Sequence, residues 1–119
     1  MSKPFVLIVE DDNQIAEIFS FALGTAKFET EIASDGKIAI NRLEEIVPDV
    51  VVLDINLPHV SGREILQYIR MNSRFDKTKV ILATSDSIMA ETLEDQADLV
   101  LLKPIRPTQL REFAARLTF

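Results

Sequence analysis

The stretch Phe5-Val6-Leu7-Ile8-Val9-Glu10-Asp11-Asp12 sets five consecutive apolar residues directly against three acids. A short apolar run without alternation suits a strand buried on both faces of a parallel sheet. The acids then stand at the carboxyl end of that strand. Four further runs follow, at residues 28–32, 50–53, 80–83 and 99–102. All but the second are unbroken. The second, Phe28-Glu29-Thr30-Glu31-Ile32, alternates, which puts Phe28, Thr30 and Ile32 on one face and predicts an edge strand.

Between the runs, apolar residues recur at steps of three and four. The sets are Ile15, Ile18, Phe19, Ala22 and Ala26, then Ala39, Ile40, Leu43, Ile46 and Val47, then Ile65, Leu66 and Ile69, then Leu110, Phe113, Ala114 and Leu117. Each predicts an amphipathic helix with one stripe for the sheet. Residues 87–96 are acidic and poorly periodic, and predict a short helix. Strands alternating with helices imply an α/β domain with a parallel sheet and right-handed crossovers. The prolines at 4, 48, 58, 104 and 107 all fall at element ends or in loops, as their missing donor requires.

The chain's 119 residues suffice for one domain, so 1–119 is read as a single unit. Thirteen Lys and Arg against nineteen Asp and Glu give a net charge of −6, which disfavours direct nucleic-acid binding. Cysteine is absent and His59, expected in an exposed loop, is the single histidine. Disulfides, thiol nucleophiles and the usual zinc sites are thereby excluded. Any bound metal would take mainly oxygen ligands, which favours magnesium, calcium or manganese. The run at Phe5–Val9 is too short for a signal core or a membrane span, so the cytoplasm is the default location and no membrane insertion is expected.

In an open parallel α/β sheet, ligands bind at the carboxyl ends of the strands. Glu10, Asp11 and Asp12 follow the first run, Asp54, Ile55 and Asn56 the third, Thr84, Ser85 and Asp86 the fourth, and Lys103 and Pro104 the fifth. Singly, each has a plain structural reading: Asp12, Thr84 or Ser85 could cap a helix, and Ala33-Ser34-Asp35-Gly36 reads as a turn and a cap. Jointly, three acids, a hydroxyl and a lysine converge on one edge. Clustered Glu10, Asp11 and Asp54 either bind a metal or raise a pKa. Hard oxygen donors point to Mg²⁺, with Mn²⁺ possible.

With these pieces in order, the chain resembles the receiver domain of two-component response regulators, of the chemotaxis-regulator type. The pieces are Val6 to Asp12, Pro48 to Asp54, Leu57-Pro58 to Gly62, Thr84 and Lys103-Pro104. The resemblance implies a doubly wound, flavodoxin-like (βα)5 fold, with sheet order 2-1-3-4-5 and helices on both faces. It implies that Asp54 is the phosphoacceptor and that Asp11, Asp54 and the backbone carbonyl of Asn56 ligate Mg²⁺, with Glu10 acting through a metal-bound water. Thr84 becomes the switch hydroxyl and Lys103 the partner of a phosphoryl oxygen. The Lys103–Pro104 bond resembles one that is cis in the family. Asn56 and Asp86, with Ser85 beside them, become positions that modulate phosphoryl lifetime. The implied donor is a phosphohistidine on a sensor histidine kinase or phosphotransfer protein, or a small acyl phosphate. The domain would catalyse only its own phosphorylation and dephosphorylation, and would signal to a downstream protein, either free-standing or as part of a larger protein.

Two departures from the family pattern stand out. Val100 occupies the switch position where an aromatic is usual, and Gln96-Ala97-Asp98 replaces the glycine common before the last strand. The fourth helix is therefore expected to be short, shifted or mobile. Two other classes compete with the phospho-accepting reading. One is a receiver-like interaction module that works without phosphorylation. The other is a Mg²⁺-dependent phosphatase with an aspartyl nucleophile, which usually carries a second Asp where Asn56 stands. A nucleotide- or flavin-binding domain fits poorly, because Glu10-Asp11-Asp12 replaces a phosphate cradle.

Overall fold

The computed structural model describes residues 3–117; the outermost two residues at each end of the expected 1–119 unit lie outside the described residues. Five strands, β1 (Phe5–Val9), β2 (Glu29–Ala33), β3 (Val50–Asp54), β4 (Lys79–Thr84) and β5 (Leu99–Leu102), alternate with five helices. The helices are α1 (Asn13–Thr25), α2 (Gly36–Glu45), α3 (Gly62–Met71), α4 (Ser87–Leu93) and α5 (Pro107–Ala115). The sheet is parallel throughout, in the expected order β2-β1-β3-β4-β5. Among the described residues, no helix is long and apolar enough to cross a membrane.

Strand alternation divides the core into two layers. Leu7, Val9, Val51, Leu53, Val80 and Leu82 face Ala39 and Leu43 of α2 and Ile65, Leu66 and Ile69 of α3. Val6, Ile8, Val50, Val52, Ile81 and Leu101 face Ala16, Phe19 and Leu23 of α1 and Leu110 and Ala114 of α5. The edge strand β2 follows its alternation. Phe28 and Ile32 join the α1 layer, and Thr30 meets Ser20 of α1 at 2.5 Å. On the opposite face Glu31 pairs with Arg42 of α2, at 2.5 Å from Nε.

The helix stripes need two corrections. On α1, the buried residues are Ala16, Phe19, Ala22 and Leu23, whereas Ile15 and Ile18 are 37% and 50% exposed. The helix is apolar on more than one side, Phe21 included, so periodicity alone does not select the face that meets the sheet. On α2, the helix ends at Glu45, Ile46 turns to extended backbone and Val47 is exposed. Val47 precedes Pro48, whose ring disfavours a helical conformation there. The fourth helix is short, seven residues followed by one 3₁₀ turn at Glu94–Gln96. The link into β5 works without glycine because an α3 side chain ties it down. Arg70 donates to the Gln96 carbonyl at 2.7 Å and to Asp98 at 2.9 Å, and Asp98 accepts the Val80 N–H at 2.7 Å.

Helix α1 ends in a Schellman turn. The Phe28 N–H donates to the Leu23 carbonyl at 3.2 Å, and the Lys27 N–H to the Gly24 carbonyl at 3.1 Å. Lys27 therefore takes the left-handed conformation, with φ 69°, where glycine is the favoured residue. Replacing Lys27 by Gly removes the Cβ strain and is expected to stabilise the fold by about 0.5–1 kcal/mol. A denaturant titration showing no gain would refute that account of the turn.

Candidate functional site

Parallel register brings the chemistry together. Val9 pairs with Leu53, so Glu10 and Asp54 emerge side by side from β1 and β3. Asp54 pairs with Ala83 of β4, and Thr84 with Leu102 of β5, so Lys103 emerges beside Thr84. The sheet ladder continues past the strand ends. The Lys103 N–H donates to the Thr84 carbonyl at 2.8 Å, and the Ile55 N–H to the Ala83 carbonyl at 3.0 Å. The Lys103–Pro104 peptide bond is cis.

Glu10, Asp54 and Thr84 are buried, at 4%, 3% and 1% exposure, while Asp11 is exposed. Asp54 Oδ1 accepts from the Asn56 N–H at 3.0 Å and from Lys103 Nζ at 3.0 Å. Glu10 Oε2 accepts the Asp12 N–H at 3.1 Å. Burial, opposed by this hydrogen bond and reinforced by the Asp54 charge, pushes the Glu10 carboxyl up to about 7. Carboxylate oxygens of Glu10, Asp11 and Asp54 all lie within 4.8 Å of one another. Three clustered carboxylates against one ammonium leave the pocket negative. The donors are all hard oxygens, so the residues present fit a hard divalent cation.

The flanking residues divide by task. Asp12 is the N-cap of α1 and accepts the N–H groups of Gln14 and Ile15 at 3.0 and 3.2 Å. Asp35 caps α2 through the Ile38 N–H at 2.8 Å. The cap of α4 is neither Thr84 nor Ser85 but Asp86, whose Oδ1 accepts from Ile88 and Met89 at 2.9 and 3.1 Å. Thr84 is the last residue of β4, and its hydroxyl instead accepts the Asp86 N–H at 3.1 Å. The preference of Asp for N-caps was the signal that could have located this one. Ser85, Asp86 and Asn56 are exposed at the rim. Val100 is half-buried on the α4 side of the sheet, paired with Leu82. His59 is exposed in the loop between β3 and α3, with φ 66°.

Gly62 holds this loop against the site. Its N–H donates to the Ile55 carbonyl at 3.2 Å. A Cβ at position 62 would lie 2.6 Å from Ile55 Cα and closer still to the Asp54 carbonyl oxygen. Both are backbone atoms and cannot swing aside. Gly62→Ala is expected to destabilise the protein by about 1–3 kcal/mol, read in a denaturant titration.

The site and fold define a parallel α/β domain that gathers a buried aspartate, two neighbouring acids, a hydroxyl and a lysine at one sheet edge. Residues 6–115 match the family model for the response regulator receiver domain. The chain belongs to that family. It is 37% identical over 114 residues to the transcriptional regulatory protein TrcR of Mycobacterium tuberculosis, covering 94% of this chain and 43% of that protein. It is 30% identical over 105 residues to the DNA-binding response regulator MtrA of Mycobacterium leprae, covering 88% and 47%. The chain thus spans about half the length of the curated relatives it matches. Among solved structures, the chemotaxis response regulator CheY4 of Vibrio cholerae superposes with a TM-score of 0.88 at 28% identity, covering 97% of this chain and 98% of that one. The receiver domain of a LuxO repressor protein from Vibrio parahaemolyticus gives 0.86 at 30% identity, covering 95% and 88%.

The raised Glu10 carboxyl has a consequence for stability. The folded protein binds this proton more tightly than the unfolded chain, for which 4.5 is the ordinary value. The group therefore favours folding most below about 4.5, and its contribution declines as pH rises towards 7. In metal-free buffer, Glu10→Gln is expected to melt above the parent beyond pH 7 and to lose that advantage near pH 4.5. Melting temperatures of the two proteins that stay parallel across this range would contradict it.

Proposed function

We propose that the domain catalyses its own phosphorylation on Asp54. A carboxylate oxygen of Asp54 attacks the phosphorus of a phosphohistidine carried by a sensor histidine kinase or phosphotransfer protein, or of a small acyl phosphate. The new O–P bond forms as the P–N bond, or the acyl O–P bond, breaks, and the leaving imidazole nitrogen or carboxylate departs with the electron pair. The observation that carries this reading is the buried Asp54 carboxylate, with Lys103 Nζ 3.0 Å from Oδ1 and Glu10 and Asp11 beside it.

Phosphoryl transfer requires positioning and charge neutralisation more than covalent assistance. Lys103 supplies a fixed positive centre for a phosphoryl oxygen. Asp11, Asp54 and the Asn56 carbonyl would hold Mg²⁺, or Mn²⁺ in its place, with Glu10 acting through a water. Bound there, the cation would offset the negative charge of the acids and the incoming phosphoryl group.

Thr84 provides the switch. Its hydroxyl accepts the N–H of Asp86, which caps α4. Turning that hydroxyl onto a phosphoryl oxygen withdraws a partner from the start of α4, and so biases the loops between two arrangements. Val100 has no ring to carry the signal, which leaves α4 as its route. Asn56, Ser85 and Asp86 border the pocket and govern water access, hence phosphoryl lifetime. Asp86→Asn is the informative change at that rim, because it removes the charge and keeps a capping side chain. The downstream target on this reading is a protein, reached in the cytoplasm, and the domain itself neither reads nucleic acid nor enters a membrane. DNA binding is the stated property of the longer relative MtrA. A second reading, partner binding without phosphorylation, draws on Val100 and on the short fourth helix. Equal partner affinity with and without phosphorylation would favour it.

Incubation with Mg²⁺ and acetyl phosphate, followed by intact mass measurement, tests the main reading. The parent is expected to gain the mass of one phosphoryl group and Asp54→Asn none. No gain in the parent, or an equal gain in Asp54→Asn, would overturn it.

A further inference from the structure

The chain has three glycines, and two of them press on the same loop. A Cβ at Gly24 would meet nothing within 4 Å. A Cβ at Gly62 would strike the Asp54–Ile55 backbone, where the loop between β3 and α3 begins. A Cβ at Gly36, the first residue of α2, would lie 2.5 Å from the Val60 carbonyl oxygen and 2.7 Å from Val60 Cβ, near the end of that loop. Gly36 is buried, so the Val60 backbone rests directly on the opening turn of α2. Between these two contacts the loop is tightly bent. The Ile55 carbonyl accepts both the Leu57 and the Gly62 N–H groups, each at 3.2 Å. His59, immediately before Val60, takes the left-handed conformation at φ 66°. A residue other than glycine stays there only where its surroundings over-determine it. Leu57 and Val60, packed into the α2–α3 layer, supply part of that constraint. Gly36 adds to it from outside the loop.

We propose that Gly36 is a positioning residue for cation binding: by letting the Val60 backbone close on α2, it fixes the β3–α3 loop and with it the backbone carbonyl of Asn56. The proposal rests on the reading that Asp11, Asp54 and the Asn56 carbonyl hold the cation. The carboxylates of Asp11 and Asp54 can adjust by rotation about their own side-chain bonds. A backbone carbonyl has no such freedom and points where its peptide plane points. The Asn56 carbonyl shares a peptide plane with the Leu57 N–H, and that N–H shares the Ile55 carbonyl with the Gly62 N–H. A shift of Val60 to Gly62 away from α2 therefore disturbs the hydrogen bond that aims the Asn56 carbonyl. Contacts that orient a metal ligand matter to affinity nearly as much as the ligand itself.

Mn²⁺ binding without any phosphodonor tests this, with free Mn²⁺ read by electron paramagnetic resonance. Gly36→Ala is expected to raise the Mn²⁺ Kd about ten-fold or more. Val60→Gly introduces no clash and frees the loop at the same contact. It should act in the same direction, and it decides the matter if Gly36→Ala does not fold. Leu23→Ala truncates the α1 layer on the other face of the sheet. It should lower the melting temperature and leave the Kd at the parent value. In metal-free protein, the carbonyl carbon resonance of Asn56 should move in Gly36→Ala and Val60→Gly and stay in place in Leu23→Ala. Parental Mn²⁺ affinity in both loop variants, or an equal loss in Leu23→Ala, would overturn the proposal and leave the cation reading intact. An unmoved Asn56 resonance alongside weakened binding would overturn it too, because the loss would then arise elsewhere. Absence of Mn²⁺ binding in the parent would overturn the cation reading itself, and the proposal with it.

Discussion

The ion pair between Asp54 and Lys103 is the interaction on which the site depends. A carboxylate at 3% exposure is tolerable only if its charge is met, and Lys103 meets it at 3.0 Å while the Asn56 N–H adds a hydrogen bond. The two residues are far apart in the chain and are joined through three strands. β3 carries Asp54 and β5 leads to Lys103, with β4 between them. A register slip of one residue at either ladder would turn one of the two side chains away from the other. The unbroken valine and leucine runs, packed on both faces, are what hold that register.

The same edge is a place of unrelieved tension. Glu10 lies beside Asp54 with too little solvent to shield either, and its carboxyl rises to about 7 as a result. A protein selected only for stability would place an apolar residue there. The acids kept there instead form a donor set that fits a hard divalent cation, and the backbone around it is correspondingly overdetermined. Gly62 seats the loop directly on the Asp54–Ile55 backbone, and Asp12, Asp35 and Asp86 each terminate the loop that leads to a helix. Rigid caps surround a pocket whose own charges repel.

Much of this was legible from local pattern. The five apolar runs were strands, and the expected stripes of α3 and α5 face the sheet, because Ile65, Leu66, Ile69, Leu110 and Ala114 have no other apolar face to compete with them. Where a segment carried surplus apolar residues, pattern failed. On α1, Ile15 and Ile18 satisfied the helical period as well as Ala16 and Leu23, and only the packing of the helix against β1, β2 and α5 decided which set was buried. The missing glycine before β5 likewise had no local explanation. Arg70, some thirty residues upstream, supplies the hydrogen bonds that make it unnecessary.

By itself the sequence determined the elements, their alternation and the identities of the candidate site residues, since periodicity, turn chemistry and side-chain type are properties of short segments. The family resemblance added the roles. Tertiary structure alone decided distances and environment. It placed Lys103 against Asp54, buried Glu10 deeply enough to raise its carboxyl, linked the Thr84 hydroxyl to the cap of α4, and left an apolar cavity at the mouth of the pocket. The physical reason is that charge, burial and void volume arise between segments distant in the chain, and no single segment contains them.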